Sequence, residues 1–274
     1  PAENGLRCVI AKSPTMSSHF RLALIQMLVE PGRIDANLTR AEERVREASA
    51  SGAQMVILPE TLDCGWTHPS ARAFAGSIPG GASCERLRAL ARREGVHLCA
   101  GLVEASGEQR FNAAVLFSPD GELLLHHRKI HELDLAHDLY SRGDRLAVAQ
   151  TPFGTVGVMI CADAFAPGES ISRTLALMGA QIIVSPCAWA VPADHDQMRE
   201  PYGALWRDCY GRVARECGVW IAGTSNVGAV IAGEWAGRKC IGCSLVVGPD
   251  GEPVAQAPYG EDAETMLMVE VVLK

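Results

Sequence analysis

Short, continuous apolar runs alternate with longer amphipathic stretches along most of this chain. An apolar run bounded by Gly, Pro or Asp is typical of a strand that is buried on both faces. We predict such strands at residues 22–29, 55–58, 97–103, 112–117, 156–160, 181–185 and 219–224. Because these strands alternate with helical stretches, the pattern predicts a mixed α/β fold.

Apolar residues that recur every three or four positions predict the helices between these strands. The first helix follows Asp35, which we expect to cap it, and Gly52 ends it. Its buried face is formed by Leu38, Ala41, Val45 and Ala48. We expect Ser83 to cap a second helix, and we predict two more over residues 168–178 and 202–217.

Two Pro-Asp-Gly segments, at residues 119–121 and 249–251, predict the tight turns of antiparallel hairpins. The last stretch, 265–273, alternates apolar and polar residues and predicts a final strand. Strands, helices and hairpins together indicate a sandwich of two mixed sheets. No internal boundary is visible, so we predict one domain over residues 19–274.

Composition and charge agree with one large globular domain. The chain has 274 residues, of which 48% are hydrophobic, enough for a substantial core. Its net charge of −7 argues against the basic stripe of a nucleic-acid-binding protein. No apolar run is long enough to span a membrane. We therefore expect neither nucleic acid nor a membrane as a partner.

The first eighteen residues are atypical of the rest of the chain. Residues 1–18 combine Ser, Thr, Pro and Lys around Met16, and they predict an N-terminal extension. Met16 could be the natural start, with residues 1–15 a non-native addition. No secretory signal is visible.

Cysteine and histidine usage does not predict a metal site. The ten cysteines are scattered and mostly in apolar surroundings, which favours reduced thiols and a cytoplasmic location. Cys240 and Cys243 form a single CxxC pair without the second pair that zinc usually needs. We expect the histidines at 126, 127 and 131 to be packed or solvated rather than metal-bound.

Three chemically different side chains follow predicted strands. Glu60 follows residues 55–58, Lys129 follows the strand that begins near residue 123, and Cys161 follows residues 156–160. The carboxyl ends of strands are where α/β folds place their functional sites. Taken singly, each residue has an ordinary explanation as a loop acid, a solvated lysine or a buried thiol.

Taken in this order, the three segments resemble those of the nitrilase superfamily, the carbon–nitrogen hydrolases. That family carries Glu in an LPE segment, Lys in an RK-x-H segment and Cys in a G-x-x-I-C-x-D segment. The corresponding segments of this chain are VILPET, HHRKIH and VGVMICADAF. The resemblance runs from about residue 20 to residue 274 and includes LALIQM with Asn37, Arg173 with MGAQIIVSPCAW, and the turns at 226–228, 242–244 and 249–251.

The resemblance implies a four-layer αββα sandwich and a hydrolase that needs no metal or organic cofactor. It implies that Cys161 attacks the amide carbon to form a thioester, with Glu60 acting as general base and then general acid. Lys129 and the backbone N–H of Ala162 would stabilise the oxyanion. We also expect Lys129 to favour the thiolate form of Cys161.

Two departures from the family pattern affect the predicted site. Many members carry a second Glu seven residues before a Gly, but here that position is Ala136. We expect Asp138, or alternatively Glu132, to take its place. Members that act on N-carbamoyl amino acids often carry Arg soon after the Cys, and true nitrilases carry Trp-Glu. The segment after Cys161 has neither, which favours a plain amide substrate.

We therefore predict a cysteine-dependent hydrolase of a small non-peptide amide. Nitrile or N-carbamoyl hydrolysis is the alternative activity, and a non-catalytic scaffold or binding protein that retains the fold is the alternative class. Trp66, Trp189 and Cys187 are the candidates to line the pocket. By resemblance, we expect a homodimer or a larger homo-oligomer.

Overall fold

The computed structural model describes residues 18–273. The predicted extension over residues 1–18, including Met16, lies outside the described residues except for Ser18, which begins the first strand. Within the described range, the helices are α1 (Ile34–Ala50), α2 (Ala71–Phe74), α3 (Ala82–Glu94), α4 (Ser170–Leu177) and α5 (Ala204–Cys217). None of these helices is long and apolar enough to cross a lipid bilayer.

The strands of the described chain are short, apart from four of nine or ten residues. In chain order they are β1 (Ser18–Gln26), β2 (Met55–Ile57), β3 (His97–Ser106), β4 (Gln109–Phe117), β5 (Leu123–Arg128), β6 (Val148–Thr151), β7 (Gly154–Val158), β8 (Ile182–Cys187), β9 (Ala190–Val191), β10 (Trp220–Ser225), β11 (Val227–Ala229), β12 (Lys239–Ile241), β13 (Leu245–Val247), β14 (Pro253–Gln256) and β15 (Thr265–Leu273). The predicted Pro-Asp-Gly turns connect β4 to β5 and β13 to β14, as expected for hairpins.

Two six-stranded mixed sheets form the centre of the fold. The first has the order β15-β1-β2-β3-β4-β5 and the second β14-β13-β10-β8-β7-β6. In each sheet the three central strands are parallel, namely β1, β2 and β3 in the first and β7, β8 and β10 in the second. Antiparallel strands flank them on both sides. A small third sheet, β11-β12-β9, lies beside the second.

The two sheets pack face to face, and helices cover their outer faces. Leu24 and Ile57 of the first sheet pack in one buried cluster with Val158 and Val184 of the second. Helices α1 and α3 cover the first sheet, and α4 and α5 cover the second. Full burial of each such aliphatic side chain contributes about 1.5–3 kcal/mol. This arrangement is the predicted αββα sandwich, which is thereby confirmed.

Both predicted helix caps are wrong. Helix α1 has Arg33 at its N-cap position and no side-chain cap, while α3 follows Gly81. Asp35 and Ser83 lie inside the first turns instead. Asp35 still carries its negative charge near the positive end of the α1 dipole, which is a favourable position. Composition around a helix start therefore identified the helix but not its first residue.

Candidate active site

Glu60 is held where the first sheet meets the second. It follows β2, and its backbone N–H donates a hydrogen bond to the carbonyl of Cys187 at 3.2 Å. Gly101 of β3 lies directly against it, since a Cβ at that position would come within 2.5 Å of the Glu60 Cα. Only glycine permits this close approach of the backbone. The Glu60 side chain is almost completely buried.

Lys129 follows β5 and brings its ammonium group to Glu60. Its Nζ lies 2.8 Å from Glu60 Oε1. The same oxygen accepts a hydrogen bond from Asn112 Nδ2 at 2.6 Å. Two hydrogen bonds fix the backbone of Lys129. Its N–H donates to the Asn112 carbonyl, and its carbonyl accepts from the Gly143 N–H. Glu60 Oε2 has no hydrogen-bond partner among the described residues, so one carboxylate oxygen is held and the other is left for chemistry.

The second acid beside Lys129 is Glu132, and the expectation for Asp138 is wrong. Glu132 Oε2 lies 3.5 Å from Lys129 Nζ, and its side chain is buried. Asp138 is exposed on the far side of the loop, where its backbone carbonyl accepts a hydrogen bond from Arg72. A single 3₁₀ turn, Asp134–Ala136, separates the two acids and directs them to opposite environments.

The buried charges affect one another's ionisation. Burial favours the neutral amine of Lys129, but the negative charges of Glu132 and Glu60 outweigh it and raise the pKa of Lys129. Burial raises the pKa of Glu132 to about 7, even though Lys129 opposes the shift. The site therefore contains a permanent cation, with Glu132 partly protonated near neutral pH.

The raised pKa of Glu132 predicts a pH-dependent contribution to stability. Between its ordinary value of 4.5 and about 7, the folded protein retains a proton that the unfolded chain releases. The free energy of unfolding should therefore fall as pH rises through this range, by about 3 kcal/mol, and then level off. A Glu132→Gln variant lacks this pH-dependent contribution to the free energy of unfolding.

The test compares the wild type with Glu132→Gln by urea denaturation at pH 5 and pH 8. We expect the stability of the wild type to fall relative to that of the variant between these two pH values. A constant difference between the two proteins would contradict the shifted pKa. Titrating groups far from Glu132 are shared by both proteins, so their contributions cancel in the comparison.

Cys161 lies at a sharp turn after β7 and is the first residue of a 3₁₀ helix, Cys161–Phe165. Its φ angle of 43° lies in the left-handed region, which is uncommon for a residue with a Cβ. The Cys161 N–H donates to Ser185 Oγ at 3.0 Å, which helps to hold this conformation. A strained turn of this kind projects a nucleophile away from its sheet.

The neutral form of the Cys161 thiol is favoured, because its pKa is raised above the ordinary value. Burial is the main cause of its raised pKa, and contact with the Cys187 thiol and the charge of Glu60 add to it. Lys129 acts in the opposite direction, as expected, but it does not outweigh the other three. Deprotonation of Cys161 must therefore accompany its attack, because a thiol is a weak nucleophile.

Cys187 is not part of the cavity wall, contrary to expectation. It is fully buried in β8, where its Sγ lies 3.4 Å from Ser185 Oγ and 3.8 Å from the Tyr210 hydroxyl. Its place in the site is behind Cys161, whose thiol it contacts. The residue before it, Pro186, and the strand register hold it inside the second sheet.

Asp163 connects the nucleophile turn to the lysine loop, a role that the sequence alone did not reveal. Its Oδ1 accepts hydrogen bonds from the backbone N–H groups of Ile130 and His131. Its Oδ2 accepts from the Ile160 N–H and bonds to His127 Nε2 at 2.8 Å. Burial acts to raise the pKa of Asp163, but the bonds to His127 and to the backbone amides have the larger effect. The pKa of Asp163 is therefore lowered.

A cavity of about 160 Å³ opens over these residues. Glu60, Lys129, Cys161 and Ala162 lie in its wall, as the sequence predicted. Trp66 and Trp189, the predicted pocket residues, lie there too. The remaining wall is mostly aromatic or aliphatic and consists of Leu133, Phe165, Ala188, Ala190, Tyr202, Leu205, Trp206 and Trp235. Apart from Lys129, no lining residue carries a positive charge.

The described residues 18–273 contain no group of three or more His, Cys, Asp or Glu side chains that could hold a metal ion. His126 and His127 bond instead to separate carboxylates, those of Glu104 and Asp163. Glu104 is also bound by the guanidinium of Arg128 at 2.6 Å. These pairs account for His126 and His127. The third clustered histidine, His131, lies beyond the end of β5.

Comparisons with known proteins agree on one family. The family model described as "Carbon-nitrogen hydrolase" matches residues 21–274. A protein named "Nitrilase" from Pyrococcus abyssi is 34% identical over 260 residues, covering 92% of this chain and 90% of the relative. An omega-amidase from Xenopus tropicalis is 32% identical over 266 residues, covering 93% of this chain and 89% of the relative.

Solved structures of an amidase from a Nesterenkonia species show the same fold. One of them superposes with a TM-score of 0.79 at 26% identity, covering 93% of this chain and 91% of the amidase. Another, of a mutant of that amidase, is described as showing Michael addition of acrylamide at the active-site cysteine. A further structure holds butyramide in a variant of the same enzyme.

Proposed function

The chain belongs to the carbon–nitrogen hydrolase family, an enzyme family whose related members hydrolyse amides, and we propose that its substrates are small, uncharged, non-peptide amides cleaved through a thioester on Cys161. The observation that carries this proposal is the composition of the cavity. Cys161, Glu60 and Lys129 share one wall, and the rest of the lining is apolar or aromatic. A thiol, a carboxylate that can take its proton and a cation that can face the oxyanion supply the nucleophile, the general base and the charge stabilisation for amide hydrolysis.

In the first half of the reaction, the Cys161 thiol transfers its proton to Glu60 as its sulfur attacks the amide carbon. A C–S bond forms while the carbonyl π bond breaks, which leaves a negative charge on oxygen. Lys129 Nζ and the Ala162 N–H are the donors that can stabilise this oxyanion. The C–N bond then breaks, and the leaving nitrogen takes the proton from Glu60.

In the second half, water replaces the departed amine beside the thioester. Glu60 accepts a proton from that water as its oxygen attacks the acyl carbon. The C–S bond breaks, Cys161 recovers its proton from Glu60, and the carboxylic acid leaves. Glu60 Oε2, which has no partner in the described chain, is the oxygen that can make both transfers. Lys129 and Asn112 keep the other oxygen in place.

The size and charge of the cavity support the choice of substrate. A volume of about 160 Å³ is well below the roughly 300–1,000 Å³ that is typical of ligand pockets. It therefore suits a short acyl chain. A substrate carboxylate would lose its hydration on entering the cavity and would find no free cation to pair with. Lys129 is already paired with Glu60 and Glu132. Butyramide and acrylamide, bound by the related amidase, have the required size and neutrality.

The test is a comparison of matched substrates with ammonia release and acid formation as readouts. Butyramide and the monoamide of succinic acid differ chiefly in the terminal carboxylate. We expect kcat/KM to be at least about 100-fold higher for butyramide, because burying an unpaired charge is costly. Equal or greater activity on the charged monoamide would contradict the proposed substrate class.

Nitrile hydrolysis is the second candidate, and the name of the Pyrococcus abyssi relative favours it. The same Cys161 attack on a nitrile carbon would give a thioimidate, and two waters would then yield ammonia and the acid. Butyronitrile, assayed beside butyramide, separates the two activities. An N-carbamoyl amino acid in the same panel tests the third activity.

We also propose that copies of the chain associate in solution. Leu177 of α4 and Leu205 of α5 are large apolar side chains with 87% and 64% of their surface exposed. The two helices pack against each other, and Leu205 also lies at the cavity. Contact with a second copy would remove this apolar surface from water, which favours association.

A further inference from the structure

The loop between β11 and β12 carries one aromatic side chain into the cavity. Backbone hydrogen bonds hold this loop, from the Val230 N–H to the Arg238 carbonyl at 2.9 Å and from the Gly237 N–H to the Val230 carbonyl at 2.8 Å. Gly233 lies against Thr67, where a Cβ would come within 2.8 Å of the Thr67 hydroxyl oxygen. The loop is therefore seated on the segment that contains Trp66.

The aromatic side chain is that of Trp235, and two contacts fix its ring. Its centroid lies 4.8 Å from that of Trp66, and the central carbon of the Arg238 guanidinium lies 4.3 Å from the same centroid. Both distances are favourable for aromatic and cation–π interactions. Two contacts thus restrict the ring, although most of the loop around it is exposed to solvent.

Trp235 differs from the other tryptophans of the cavity in its exposure. Trp66, Trp189 and Trp206 are buried, whereas Trp235 is only half-buried. The buried rings therefore form the inner wall, and Trp235 lies at the mouth. Lys129 Nζ is 5.9 Å from the Trp66 ring, so Trp66 is adjacent both to the charged end of the site and to Trp235.

We propose that Trp235 limits the length of the acyl group that the enzyme accepts. This inference rests on the proposed amide substrate, whose reacting carbonyl must lie at Cys161 beside Lys129. An acyl chain that extends from that point along Trp66 meets the indole of Trp235 at the outer end. Amides with short chains fit in front of this ring, and longer ones collide with it.

Removing the indole should change selectivity more than it changes catalysis. In Trp235→Ala the cavity lengthens, while Cys161, Glu60 and Lys129 keep their contacts. We expect the ratio of kcat/KM for hexanamide to that for butyramide to rise at least about tenfold, as is typical when one or two methylenes gain room in a pocket. Trp235→Phe, which keeps a smaller ring, should give a smaller rise.

Ile231→Ala is the matched control, because Ile231 lies on the same loop, is exposed, and is not a lining residue. It should leave the ratio unchanged. An unchanged ratio in folded Trp235→Ala, with butyramide still hydrolysed, would overturn the inference and leave the proposed function standing. If Trp235→Ala fails to fold, the Phe variant decides by the same ratio. A wild type that hydrolyses neither amide overturns both proposals together.

Discussion

Replacing Cys161 with alanine is expected to abolish amide hydrolysis, with kcat reduced by about 10⁴-fold or more. The thiol is the one group at the turn that can bond to the amide carbon, and nothing at position 161 replaces it. The loss should come with the loss of covalent chemistry. Acrylamide should add once to the wild type and not at all to Cys161→Ala, as intact-protein mass spectrometry would show.

Cys187→Ala is the appropriate control for this experiment. Cys187 contacts the Cys161 thiol but does not line the cavity, so a substrate does not reach it. We expect this variant to keep both the acrylamide adduct and amide turnover. If the adduct persisted in Cys161→Ala and vanished in Cys187→Ala, the assignment of the nucleophile would be wrong.

The parts of the site that could be predicted from sequence are those fixed by strand ends. Glu60 and Cys161 each follow a parallel strand of the central sheets, and the apolar runs marked both strands. Lys129 follows β5 in the same way. Face-to-face packing of two sheets then brings the three strand ends together, and the resemblance to the nitrilase superfamily is what links the three segments in the sequence.

The parts that sequence could not predict depend on loops and on side-chain packing between distant segments. Counting residues within the loop after Lys129 favoured Asp138, but a single 3₁₀ turn buries Glu132 instead. Asp163 makes four hydrogen bonds to two segments that are about thirty residues apart in the sequence. No local pattern reports such contacts.

The aromatic wall shows the same limit. Trp66 and Trp189 were predicted because they follow strands that carry or neighbour the reactive residues. Trp235 lies in a loop more than seventy residues after Cys161, and only the third sheet brings it to the cavity. Its contact with Trp66 is visible only once the loop is seated on Thr67.

Removing the charge of Lys129 should affect catalysis and stability together. Lys129→Met leaves Glu60 and Glu132 buried without their cation. Breaking a buried ion pair from one side costs about 3–5 kcal/mol, because the remaining charge loses both water and partner. Loss of an oxyanion donor should also lower kcat by about 10²–10³-fold. Urea denaturation and ammonia release measure the two effects on the same samples.

A second substitution separates these two effects. In Lys129→Met with Glu132→Gln, one of the unpaired carboxylates is neutralised, so part of the lost stability should return. The activity should not return, because the cation that faces the oxyanion is still missing. Lys239→Met, outside the cavity, controls for removal of a positive charge and should change neither quantity much. Recovery of stability and of kcat together in the double variant would mean that Lys129 acts only by neutralising the buried acids, and would contradict its direct part in catalysis.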